Sequence, residues 1–162
     1  MNGIKKAAVI CVLKNNDRFL LLKRNKEPYK DNYTPVGGKI DPFENPFNAA
    51  KREIFEETGL KVEDLEYCGT LVETSPVEYN WICFVYRAEI DLISPPPCNE
   101  GKLEWIEFSD VLNVPTPKTD WFIYKYMLEG KKFNFSAEYD KDLEMLSMQD
   151  DLTNELLYNN SK

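Results

Sequence analysis

An α/β fold, with a mixed β-sheet sandwiched between helices, is what this sequence predicts, and three observations lead there. Runs of β-branched and aromatic residues, separated by turn-forming clusters, recur through the chain. Two segments carry a helical pattern, one of them with both a start and a stop signal. The size suits one domain: 162 residues, 43% hydrophobic and 30% charged, can bury on the order of two-thirds of the unfolded surface. Alternating strands and helices of this kind stack in layers around a shared core.

The elements follow in order. "IKKAAVICVL" is apolar, "KNND" is a turn signal, and "RFLLLKR" resumes the apolar pattern, which reads as a β-hairpin. "NKEPYKDNYTPV" is a polar loop leading to Gly37 and Gly38. Asn45 can cap a helix, Pro46 suits its first position, and Gly59 suits its end. Within that helix Phe47, Ala50 and Ile54 fall on one stripe, expected to face the core. "VEDLEYCGTLVE", "EYNWICFVYRAEI" and "KLEWIEF" read as further strands, broken by "TSP" and "SPPPCNEG". "TDWFIYKYMLEG" reads as a second helix ended by Gly130, and Phe133, Phe135, Ala137 and Tyr139 alternate as in a half-buried strand. Beyond Asp140 the composition turns acidic, and Leu143, Leu146, Leu152 and Leu156 allow a terminal helix or a partly ordered tail. The division expected is therefore a domain over 1–140 and an acidic segment over 141–162.

Charge and composition limit the chemistry. A net charge of -8, from 20 basic and 28 acidic residues, argues against broad binding to nucleic acid. It does not argue against a small phosphorylated ligand, because divalent ions bridge carboxylates to phosphate oxygens. No apolar run approaches the roughly 20 residues of a membrane span, and the start lacks the cleavage region of a signal peptide, so a soluble, cytoplasmic protein is expected. The chain has no histidine, and its four cysteines are widely spaced, which excludes Cys/His and Ser/His nucleophilic catalysis. Cys11 and Cys83, inside apolar runs, read as small core residues.

Catalysis must then rest on carboxylates, lysines, backbone and bound ions. The segment "GGKIDPFENPFNAAKREIFEETGL" concentrates them. At about 100° per residue, Glu56 and Glu57 lie within roughly 60° of Glu53 on either side. Three like charges in one patch cost stability unless a cation fills the gap. Gly37 and Gly38 permit close backbone approach, so a carbonyl there can join the shell of a hard cation. Glu44 and Arg52 read as an ion pair between loop and helix, the guanidinium being suited to a bidentate clamp.

Gly38, Glu44, Arg52, Glu53, Ile54, Glu56, Glu57, Gly59 and Leu60 fill every fixed place of G-x5-E-x7-R-E-U-x-E-E-x-G-U, where U is apolar. The segment thereby resembles the signature of the Nudix hydrolases, a match expected by chance about once in ten million chains of this length. The resemblance implies a Nudix-type α/β/α sandwich and the hydrolysis of a nucleoside diphosphate linked to another group. It implies a divalent cofactor, magnesium with manganese as a substitute. Glu53, Glu56 and Glu57 then correspond to metal ligands, the Gly37 carbonyl and Glu100 to additional ones, and Glu53 to the group that orients or deprotonates the attacking water. Glu44 and Arg52 correspond to the structural pair. Lys23, Lys39 and Arg24 lie where phosphates would pass, although solvated surface positions would look the same.

The region after the signature resembles the MutT-like branch that sanitises oxidised purine nucleotides such as 8-oxo-dGTP. That resemblance brings Asp120 and Trp121 to the base, with Tyr33 and Thr34 in place of a Trp-Asn pair that some such enzymes carry. Tyr33 and Phe43 can each stack a base or close the core edge, and Trp81 and Trp105 read as core residues. Three functions stay open: a nucleoside triphosphate pyrophosphohydrolase favouring 8-oxo-dGTP; a hydrolase of ADP-ribose, nucleotide sugars or dinucleoside polyphosphates; and a catalytically silent nucleotide sensor. The partner expected is a nucleotide substrate, with no nucleic acid or membrane. The acidic end can pack on its own domain or on a second subunit, which leaves a homodimer open.

Overall fold

The structure, a computed structural model, describes residues 3–161. Strands β1 (Ile4–Asn15) and β2 (Arg18–Arg24) form the expected hairpin, with Leu13 opposite Leu20 and Asn15 opposite Arg18. The short strands β3 (Tyr33–Thr34) and β4 (Val36–Lys39) then pair back onto β2 and β1, and β4 leads to helix α1 (Pro46–Thr58). Strands β5 (Glu66–Thr74), β6 (Tyr79–Glu89), β7 (Pro97–Cys98) and β8 (Gly101–Glu107) follow. Helix α2 (Lys118–Leu128) and strand β9 (Phe133–Tyr139) come next.

The strands join in one sheet of order β9-β5-β6-β1-β2-β8-β7, with β3 and β4 set off that path. It is mixed because β1 runs parallel to β6 and β5 parallel to β9, while the other pairs are antiparallel. Alternation along the central strands splits the apolar residues between two faces. Val9, Cys11, Leu13, Leu20 and Leu22 meet Ala49, Ala50 and Ile54 of α1. Val12, Phe19, Leu21, Leu71, Val85 and Phe135 meet Ile123 and Tyr124 of α2. A mixed sheet between helices is therefore what the chain forms.

Two expectations are corrected. Phe47 does not share the buried stripe: it is 38% exposed and lies edge-on to Tyr86, while Ala49, Ala50, Ile54 and Thr58 are buried. The i, i+4 row of Ala50, Ile54 and Thr58 faces the sheet, which turns the first helical turn toward its rim.

The second correction concerns 141–162, of which residue 162 lies outside the described residues. In place of a terminal helix, β10 (Met145–Asp150) pairs with β9 and β11 (Glu155–Asn159) pairs with β10, extending the sheet. Met145, Met148 and Asp150 are buried, whereas Leu143, Leu146, Leu152 and Leu156 are exposed. Asp150 sets the turn, its Oδ1 accepting from the amides of Asn134 and Leu152 at 3.1 Å each, and Asn154 takes a left-handed φ of 59°. These are turn functions for which Asp and Asn are suited. The leucine spacing imitates a helix, but as a strand the segment also pairs the edge amides and carbonyls of β9, which a helix would leave open.

Candidate functional site

The strand β4, the loop 40–45 and α1 form the unit that carries the acidic residues. Asn45 Oδ1 accepts from the Asn48 amide at 2.9 Å, Pro46 opens the helix, and Gly59 closes it with φ 74°, so the helix boundaries are fixed by local chemistry. Arg52 ties the unit together. Its Nε and Nη2 donate to the two carboxylate oxygens of Glu44 at 2.9 and 2.8 Å, and Nη2 also donates to the Lys39 carbonyl at 2.9 Å. Its Nη1 reaches Glu53 Oε1 at 2.7 Å and Glu56 Oε2 at 3.3 Å. The guanidinium thus fastens loop to helix and strand, and holds the Glu44 carboxyl below the usual carboxylate range.

The three helix glutamates are not equivalent. Glu53, with a side chain 12% exposed, lies over Gly38 of β4, where any Cβ would stand well inside van der Waals contact with its carboxyl. Glu56 is 55% exposed and turned to Arg52. Glu57 is the most confined: its Oε2 is buried and, among the described residues, has no hydrogen-bond partner. Burial, with the charges of Glu100 and Glu53, pushes the Glu57 carboxyl up to about 8, against the pull of the Gly37 amide and Arg24. Burial also raises Glu53, partly offset by Arg52.

Glu100 reaches this patch from the opposite side. It occupies the two-residue turn between β7 and β8, where Cys98 pairs with Gly101, and its carbonyl accepts from the Asn25 amide at 2.9 Å. Its carboxylate stands 3.9 Å from Arg24 Nη1. A Cβ at Gly101 would collide with the Lys23 carbonyl, so this glycine lets β8 lie close to β2 and sets Glu100 beside Glu57.

Glu53, Glu57, Glu100, Gly37, Gly38 and Arg24 therefore gather at one end of the sheet. Among the described residues no three acidic or sulfur-bearing side chains converge closely enough to enclose an ion as they stand. In this arrangement Glu53 and Glu56 are hydrogen-bonded to Arg52. The donor set nonetheless suits a hard divalent cation: carboxylate oxygens, one of them buried and unpartnered, next to a strand that only glycines allow so close.

Several predicted residues lie apart from this patch. Tyr33 donates to Glu104 Oε2 at 2.5 Å, and its carbonyl accepts from Thr116 Oγ1 at 2.6 Å and Tyr124 Oη at 3.3 Å, so it anchors α2 to β3. The Lys23 ammonium stands 5.8 Å from the Tyr33 ring centroid. Thr34, opposite Leu22 and so on the α1 face, has a buried hydroxyl without a partner among the described residues. Lys39 and Phe43 are exposed. Asp120 and Trp121 diverge: Asp120 is buried on the sheet side of α2, whereas Trp121 donates to the Leu112 carbonyl at 3.0 Å and packs edge-on to Phe122.

Two further carboxyls lie outside the fixed places of the signature. Asp41, 3.8 Å from Arg52 Nε, adds a fourth carboxylate to the guanidinium. Glu73, on β5, has its carboxyl raised by burial. Its spacing from Leu71 is the sequence signal that would have put it on an inward face.

The sheet between two helices and the carboxylate patch at its end define a hydrolase of the Nudix class, and the comparisons bear this out. The NUDIX domain family profile matches residues 4–129, and the chain belongs to that family. It is 27% identical over 143 residues to the uncharacterized Nudix hydrolase YvcI of Bacillus subtilis strain 168, spanning 85% of this chain and 89% of that one. It is 39% identical over 135 residues to diphosphoinositol polyphosphate phosphohydrolase 3-beta of Bos taurus, spanning 80% and 82%. The crystal structure of the MutT protein from Bacillus halodurans superposes with a TM-score of 0.80 at 27% identity, covering 91% of this chain and 98% of that one. Members of the family act on nucleotide substrates and generally use divalent metal ions. Among the described residues no helix is long and apolar enough to cross a membrane.

Proposed function

We propose that this Nudix hydrolase is a magnesium-dependent nucleoside triphosphate pyrophosphohydrolase of the cytoplasm, releasing a monophosphate and pyrophosphate and favouring oxidised purine nucleotides such as 8-oxo-dGTP. The observation that carries the reading is the buried, unpartnered Oε2 of Glu57, beside Glu53 and Glu100. A carboxyl so confined stays protonated near neutral pH unless a cation compensates it. Glu53, Glu56 and Glu57, with Glu100 and the Gly37 carbonyl, would hold such an ion. When bound, it supplies the positive charge that neutralises phosphate oxygens during phosphoryl transfer.

The chain's own residues supply the rest. Arg52 fixes the Glu53 carboxylate by its 2.7 Å hydrogen bond, which orients it to take a proton from the attacking water. Glu44 holds Arg52 in turn. Arg24 stands 3.9 Å from the Glu100 carboxylate and is the cation at hand for a triphosphate, with Lys23 and Lys39 further candidates. Asp120, buried and facing the sheet, offers a carboxyl to a purine edge.

The diphosphoinositol polyphosphate phosphohydrolase among the relatives favours a second reading, the hydrolysis of a phosphoanhydride on a more highly phosphorylated substrate. The deciding experiment is a magnesium-dependent turnover screen over 8-oxo-dGTP, dGTP, other nucleoside triphosphates, ADP-ribose, a nucleotide sugar and a diphosphoinositol phosphate, following pyrophosphate and phosphate separately. Preference for 8-oxo-dGTP with pyrophosphate release supports the reading. Preference for any of the last three overturns it.

A further inference from the structure

Helix α2 has no cap of its own. Pro117 stands at its N-cap and supplies no side-chain hydrogen bond, in contrast with Asn45 on α1, and Lys118 puts a cation at the positive end of the helix dipole. The start of α2 is held from outside instead. On one side, the Tyr33 amide donates to the Pro115 carbonyl at 2.8 Å, and the Tyr33 carbonyl accepts from Thr116 Oγ1 and Tyr124 Oη. On the other side stands Tyr158 of β11. It lies opposite Met148, a fully buried residue of the core beneath α2, so its ring turns toward that helix. The Lys118 ammonium sits over this ring, 3.8 Å from its centroid, and Tyr158 lines one cleft with Thr116, Lys118, Trp121 and Phe122. Strand β11 lies beyond residue 129, where the family match ends.

Resting on nucleotide hydrolysis as proposed above, we infer that Tyr158 is a positioning residue: by clasping Lys118 it sets the first turn of α2, which carries Asp120, and thereby the affinity for substrate. The chemistry of the contact fits this role. A lysine at the first helical position opposes the dipole, and the electron-rich face of a tyrosine ring offsets that charge. Without Tyr158 the first turn keeps only the support that Tyr33 gives it, and Asp120, two residues past Lys118, loses its fixed place. Glu53, Glu57 and Glu100 are held by α1 and by the turn between β7 and β8, neither of which Tyr158 lines. The clasp therefore acts on binding and leaves the chemical step alone.

Hydrogen exchange on the intact protein reads the clasp without substrate. Tyr158→Ala should speed exchange of the amides of Trp121 to Tyr124 by about fivefold, the scale of an exposed cation–π contact, while β1 and β6 stay protected. Steady-state kinetics with the triphosphate turned over fastest should show KM raised by a similar factor and kcat within about twofold. Tyr158→Phe, which keeps the ring face, should match the wild type in both readouts, and Lys118→Met should fall between. Thermal melting of each variant checks folding; should Tyr158→Ala not fold, Lys118→Met, which leaves the hairpin intact, carries the same comparison. Unchanged exchange in α2, an unchanged KM where exchange rises, or a kcat that falls at constant KM overturns the assignment. Lost protection of α2 in Tyr158→Ala, in a protein that turns over no nucleotide, would overturn the proposed reaction and keep the clasp.

Discussion

Gly38 lies directly beneath the carboxylate of Glu53, so close that a single methyl group on the glycine would overlap it. The glycine on β4 and the glutamate on α1 are thus one fitted pair. Gly38→Ala should push the Glu53 carboxylate off its position, at the far end of a flexible side chain, with little effect on folding. Turnover should fall on the order of a hundredfold, as for other small displacements of catalytic groups. Steady-state kinetics beside a thermal melt separates the two effects, and an unchanged kcat would refute the placement.

Glu56→Gln and Glu57→Gln should each cripple turnover and keep the fold, because the amide preserves shape and removes charge. At Glu57 the exchange removes a carboxyl that burial already pushes up to about 8, so stability should hold or rise. Urea denaturation and metal titration by calorimetry check this. Near-normal rates with magnesium in either variant would exclude it as a ligand.

Arg52→Met should cost on the order of 1–3 kcal/mol of stability, since Glu44 and Glu53, with side chains 15% and 12% exposed, lose their main partner. Arg52→Lys should recover only part, because a single ammonium cannot make the paired contact with Glu44. Denaturant midpoints for the three proteins give the ranking, and a lysine variant as stable as the wild type would show that the fork geometry contributes nothing.

Asp120, like Glu57, makes the stability depend on pH. Its carboxyl is raised to about 8 by burial and by Glu73, with Arg24 opposing, while Tyr29, Tyr124 and Cys83 face it from the neighbouring elements. Between roughly pH 4 and 8 the folded chain therefore holds a proton that the unfolded chain releases, and stability falls as pH rises through that window. Asp120→Asn should flatten the decline. Urea midpoints at several pH values test the sign, and a rise in stability from pH 5 to 8 that the substitution leaves unchanged would contradict it.

How far the sequence foretold this depends on the range of each interaction. Helix α1 was legible because Asn45, Pro46 and Gly59 act within a few residues, and the Arg52–Glu44 clamp spans only eight positions. The gathering of Glu57 and Glu100 rested on a resemblance, since the turn carrying Glu100 is brought there by β2 and β8. Leu146, Leu152 and Leu156 misled because their spacing looks helical, while the decisive partner of that segment is the distant β9. The resemblance brings Trp121 to the base beside Asp120, yet neighbours on a helix point about 100° apart, and Trp121 hydrogen-bonds the Leu112 carbonyl. Glu73, two residues beyond the core residue Leu71 on β5, carries the strand-period signal of an inward face.

The C-terminal hairpin has a consequence for solubility. Without it, β9 would present an open row of amides and carbonyls beside the apolar Phe133 and Phe135, a template for strands of other molecules. By pairing with β9, β10 seals that row, and the sheet ends instead on β11, a strand of five residues bounded by Glu155 and Asn159. The segment that composition marked as a tail is what keeps copies of this enzyme from adding to one another edge to edge.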